Sequence, residues 1–188
     1  MLRFLFLAMM VFQLLVFGAE AEENPLVKQT HIHIENGIVY CDVQTFNQEA
    51  YILKVLGGGS PLTVFWQFDV LRERAFWSNS SVAVVRLGRQ VIPDLVTKRW
   101  LMRDLSAGVI RYTSDIHVAM RFLTTMNHAA AVDVSLLNKQ EKYILGTKLY
   151  VYEGEWEEEA SWWTTMMNWG EDMGSVELII PDEGAAVE

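Results

Sequence analysis

The sequence predicts a mostly β fold: an antiparallel, sandwich-like domain with two short helices and an acidic, Trp/Met-rich C-terminal segment. Three observations carry this expectation. Apolar and polar residues alternate along several short stretches, the period of a half-buried strand. Asn36-Gly37 separates two of these stretches, and Asn-Gly favours the positive φ angles of a two-residue hairpin turn. Helical spacing of apolar residues occurs mainly after Asn47 and after Ser114. About seven short strands with short loops suit a sandwich.

Taken in order, residues 1–21 have the three parts of an export signal. Arg3 is the positive start, Phe4 to Phe17 an apolar run broken by Gln13, and Ala19-Glu20-Ala21 a small-residue cleavage site. The apolar run is shorter than the ~20 residues needed to span a bilayer, so cleavage is expected rather than an uncleaved anchor. The expected divisions are a signal peptide over 1–21, a β-rich domain over 22–152 and the C-terminal segment over 153–188. No membrane segment is expected after cleavage, and the destination is the periplasm.

The Asn36-Gly37 turn pairs Glu35 with Ile38 and His31 with Asp42. One face then carries Ile32, Ile34, Val39, Cys41 and Val43; the other carries His31, His33, Glu35, Tyr40 and Asp42. Cys41, the only cysteine, reads as a buried thiol. Asn47 caps a helix over Gln48–Leu56 that Gly57-Gly58-Gly59 ends. A strand from Leu62 to Val70 follows Pro61. A second hairpin is expected at Pro93-Asp94, setting Val85 against Met102 and Leu87 against Trp100. Ser114 caps a helix to about Met126, with Ile116, Ala119, Met120 and Leu123 on one stripe. Strands are expected around Val132–Leu136, Tyr143–Val151 and Val176–Ile180.

Charge is unevenly spread. The net charge of −9 argues against nucleic-acid binding, which needs a basic surface. Residues 149–188 hold eleven acids and no Lys or Arg, whereas residues 72–121 hold nine bases against four acids. Arg86, Arg99 and Arg103 fall opposite Leu87 and Trp100 on the second hairpin and form a candidate anion- or partner-binding face. A solvated sheet face and a docking surface for the acidic tail are the competing readings. In the tail, Trp162, Trp163, Met166 and Trp169 either pack onto the domain or form a protein-binding surface, since Trp anchors and adaptable Met are common at interfaces.

Catalytic motifs are absent. There is no Gly-x-Ser-x-Gly elbow, and the glycine-rich 57–60 segment runs from helix to strand, the reverse of a phosphate cradle. His31, His33 and Asp42 are the only metal-ligand pattern, with a plain polar face as the simpler reading; His117 and His128 are remote in sequence. No cofactor is expected. A non-enzymatic interaction module that contacts another envelope protein is therefore preferred, with a small-anion or metal-binding protein as the alternative.

The chain resembles a bacterial exported family known as domain of unknown function 4390. The likeness rests on Pro61-Leu62-Thr63-Val64 leading into an aromatic strand, Arg72-Glu73-Arg74-Ala75-Phe76-Trp77, and Leu95-Val96-Thr97-Lys98-Arg99-Trp100. It extends over about residues 28–170, through the helix from Ser114 and the strand from Tyr143. The family's Leu-Pro-rich stretch after the last long strand is replaced here by acidic residues from Glu153 to Ala160. The resemblance implies export in a Gram-negative bacterium, with no assigned activity and no catalytic residues.

Overall fold

The computed structural model describes residues 27–45, 48–75, 78–155 and 170–178. They form β1 (Val27–Glu35), β2 (Ile38–Thr45), α1 (Glu49–Gly57), β3 (Leu62–Arg72), β4 (Ser80–Asp94), β5 (Arg99–Asp104) and β6 (Val109–Thr113). There follow α2 (Ile116–Thr124), β7 (Thr125–Asp133), a 3₁₀ turn over Val134–Leu136, β8 (Tyr143–Glu153) and β9 (Gly170–Leu178). The strands build two antiparallel sheets, a small one ordered β1-β2-β7 and a large one ordered β6-β5-β4-β3-β8-β9. The fold is the mostly β, two-helix class that the alternation predicts.

The first hairpin adopts the expected register, from Glu35↔Ile38 to His31↔Asp42. Asn36 and Gly37 have φ of 49° and 77°, the left-handed angles that an Asn-Gly pair accepts most readily. Val39, Cys41 and Val43 consequently point inward and are buried. They share one core with Val64, Trp66 and Phe68 of β3, Ile52 and Leu56 of α1, and Leu123 of α2. Trp66 is wholly buried, and its indole Nε1 donates to the Leu123 carbonyl at 3.2 Å, so its one polar atom is paired. Side chains of this size stabilise by ~1.5–3 kcal/mol each on burial.

The glycine triplet ends α1 as expected. Gly58 donates to the Lys54 carbonyl at 3.0 Å, and Gly59 takes φ +86°. A Cβ on Gly59 would also lie 3.2 Å from Leu95 Cδ1, so glycine serves both conformation and close approach. Asn47, the expected cap, lies outside the described residues.

Three local expectations are corrected. The β4–β5 hairpin turns at residues 95–98 rather than at Pro93-Asp94, giving Val91↔Met102 and Asp94↔Arg99. Asp94 holds that turn: Oδ1 accepts from the Val96 and Thr97 amides at 3.0 and 3.1 Å, and Oδ2 from the Thr97 hydroxyl at 2.6 Å. Asp115, not Ser114, caps α2, accepting from the His117 amide at 2.8 Å. The helix stops at Thr124, and the following strand is Thr125–Asp133 instead of Val132–Leu136. Asp133 ends it by accepting from the Ser135 amide at 2.8 Å, which tightens Val134–Leu136 into a 3₁₀ turn. At the C-terminal end, β9 pairs with β8, so part of the acidic segment is an edge of the large sheet.

Candidate functional site

Of the residues singled out by sequence, Trp162, Trp163, Met166 and Trp169 lie outside the described residues. The structure places Arg86, Arg99 and Arg103 on one face of the large sheet but does not bring them together. Arg86 lies opposite Gln67 on β3, whereas Arg103 faces Gln90 and Arg99 faces Asp94. Four residues separate Arg86 from Gln90, about 13 Å along a strand. Arg86 instead donates through Nε to Gln67 Oε1 at 2.8 Å, Gln67 Nε2 donates to Asp69 Oδ1 at 2.8 Å, and Lys148 Nζ lies 3.3 Å from Asp69 Oδ2. Gln67 and Asp69 are buried, so this chain of polar contacts satisfies the outward face of the central strand.

The remaining candidate lies on the outer face of the small sheet. Period-two alternation puts His31, His33 and Glu35 of β1 on that face, with Tyr40 and Asp42 of β2 across from them. Asp42 Oδ2 is 3.8 Å from His31 Nδ1 and 3.9 Å from His33 Nδ1. A further residue joins them from β7. Cys41 pairs with Ala129 and Val43 with Met126, so Asn127 and His128 together face Asp42 in a bulge. His128 has φ 57°, and its amide donates to Asp42 Oδ1 at 2.6 Å.

That backbone conformation delivers the His128 ring into the cluster. It stacks on Tyr40 with centroids 3.8 Å apart and planes 14° from parallel. Its Nδ1 lies 3.3 Å from His33 Nε2, and its Nε2 lies 3.7 Å from Glu35 Oε2. Two sets of three donors therefore exist, His31/His33/Asp42 and His33/Glu35/His128, each with its ligand atoms within 4.8 Å of one another. They share His33. Imidazole and carboxylate in this density can hold a borderline divalent ion.

His128 corrects the expectation that no further histidine supports the His31/His33/Asp42 pattern. It lies 95 residues from His33, and only the β7 bulge brings it there. Thr125–Ala131 lacks the alternation that marks a strand, so no local signal points to it. Cys41 lies on the opposite, inward face. Burial, reinforced by the neighbouring Asp42 charge, pushes its thiol up to about 12, which removes it as a nucleophile or ligand near neutral pH.

The family model described as Domain of unknown function (DUF4390) matches residues 22–155, and the chain belongs to that family. No curated protein and no solved structure gives a significant match.

Proposed function

We propose that this chain, as a member of a family without an assigned activity, is an exported, non-enzymatic module of the bacterial envelope that captures an extended segment of another protein. The observation that carries this reading is the β6 edge. Among the described residues β6 pairs with β5 alone, leaving one row of main-chain donors and acceptors for a further strand. Apart from Arg111, its exposed side chains are apolar or aromatic: Val109 is 42% exposed, Ile110 51% and Tyr112 62%. Val96, 93% exposed, adds to this end of the sheet from the β4–β5 turn.

Arg99, Arg103 and Arg111 border the same edge, which favours an acidic partner segment. Trp162, Trp163, Met166 and Trp169 are proposed as further anchors. The export pattern of residues 1–21 supports a periplasmic location, and no helix among the described residues is long and apolar enough to cross a membrane.

A photo-crosslinking residue at position 110, in cells of the native host, tests the reading. A discrete adduct with an envelope protein, lost when Tyr112→Lys is added, is expected. Absence of any adduct at 110, with the folded protein recovered from the periplasm, overturns strand capture; recovery from the cytoplasm overturns export.

A further inference from the structure

We propose that the outer face of the small sheet binds one imidazole-preferring divalent ion, zinc or copper(II), through His33, His128 and Glu35, with Asp42 positioning the two rings and His31 adjacent.

The donor spacing fits such an ion. Two ligand atoms each ~2.1 Å from a tetrahedral zinc lie about 3.4 Å apart. His33 Nε2 and His128 Nδ1 are 3.3 Å apart. The Glu35 carboxylate completes a set of three within 4.8 Å. Its nearest approach is 3.7 Å to His128 Nε2, so it reaches an ion held between His33 Nε2 and His128 Nδ1 by swinging its side chain across the ring edge. Asp42 faces His33 Nδ1, on the far side of the ring from Nε2. A carboxylate behind a ligating imidazole orients the ring and directs the other nitrogen to the metal. None of the five groups is sulfur, which favours zinc and copper(II) over copper(I).

The arrangement is also preorganised at a structural cost. A non-glycine residue in the left-handed region is disfavoured by ~1–2 kcal/mol. His128 is held there by its amide bond to Asp42 and by the Tyr40 stack. The conformation aims an imidazole at His33, and backbone outliers of this kind concentrate at functional sites. The histidine rings remain accessible, with the His33 side chain 31% and the His128 side chain 55% exposed, so water can complete the coordination shell and ions can exchange.

Calorimetric titration of the chain, purified without a polyhistidine tag, with zinc, copper(II) and magnesium salts tests the site. Expected are one ion per chain for zinc, copper or both, no magnesium binding, and at least a tenfold loss of affinity in His33→Ala and in His128→Gly. His128→Gly also relieves the left-handed backbone, so its metal-free form should melt no lower than the parent; loss of binding in a fully folded variant then separates ligation from folding. His117→Ala, on α2, should bind as the parent does. Copper bound at this site should show an electron paramagnetic resonance spectrum with hyperfine splitting from at least two imidazole nitrogens. Absence of zinc and copper binding overturns the proposal, as does binding that His33→Ala and His128→Gly leave unchanged, which would place the ion elsewhere on the acidic chain.

Discussion

The β1–β2 and β4–β5 hairpins solve the same problem in different ways. In the first, the main chain itself makes the turn: Asn36 and Gly37 both sit at positive φ, and nothing lies within 4 Å of where a Gly37 side chain would begin. In the second, a carboxylate makes it. Asp94 gathers the Val96 and Thr97 amides and the Thr97 hydroxyl, and Lys98 closes the loop at φ 53°. The β5–β6 turn repeats the second solution, with Asp104 accepting from the Ser106 and Ala107 amides and Gly108 at φ 67°. A backbone-made turn sets its register within two residues. A side-chain-made turn needs the correct residues three and four positions on, and neighbouring alternatives compete with it.

The largest expected effect comes from cutting the link between the two regions. Arg89 leaves β4, donates through Nη1 to the Phe122 carbonyl at 2.8 Å and to the Thr125 carbonyl, and lies 4.7 Å over the Phe122 ring. It thereby ties the large sheet to the point where α2 becomes β7. Arg89→Ala should cost about 2–3 kcal/mol in urea unfolding, since hydrogen bonds to a charged group contribute ~1.5–3 kcal/mol. A loss below ~1 kcal/mol would show that the two regions are held together by apolar packing alone.

Gly37→Val ranks second. The cost is conformational only and should be roughly 2 kcal/mol, because a β-branched residue is forced to a positive φ. Lys98→Gly is expected to go the other way by about 1 kcal/mol, and Gly108→Ala in the sister turn to lose a similar amount. If Lys98→Gly destabilises instead, the Asp94 turn depends on the lysine side chain and the parallel between the two Asp turns fails.

At neutral pH the smallest effects are those of protonation, and the hairpins should part company at opposite extremes. Burial raises the Cys41 thiol to about 12. Its contribution is complete below its ordinary value near 9 and is lost as pH rises from there toward 12. The Asp94 carboxyl is held below its ordinary value, first by the Thr97 hydroxyl, then by the Thr97 amide. Its contribution is present above the ordinary carboxylate range and is lost as pH falls through the lowered value. Amide hydrogen exchange should report acid opening at residues 95–98 before β2 opens, and alkaline opening in the reverse order. Simultaneous opening at both extremes would mean that neither group controls its own hairpin.

The same contrast explains what could be read from the residues in advance. Alternation located the core faces of β2, β3 and β8, because a strand with one buried face writes its register as a period of two. Asn36-Gly37 then placed His31, His33, Glu35, Tyr40 and Asp42 together. The second hairpin turned three residues later than expected because Pro93-Asp94 is compatible with a turn but does not require one. The slip leaves each residue's face unchanged, so Arg86, Arg99 and Arg103 still share a side, but their separation along the strands is set by the true register. β7 was hidden for a different reason: its alanines and the Asn127–His128 bulge erase the alternation.

The chain's own pattern determined the mostly β class, the inward thiol, the first ribbon and the family resemblance, since all of these follow from local periodicity, turn chemistry and short motifs. Tertiary structure alone decided that β7 lies beside β2, that β6 is the last strand of the large sheet among the described residues, and that His128 reaches His33. Contacts across 95 residues depend on which sheet a strand joins and where it bulges, and those choices are made by packing rather than by neighbours in sequence.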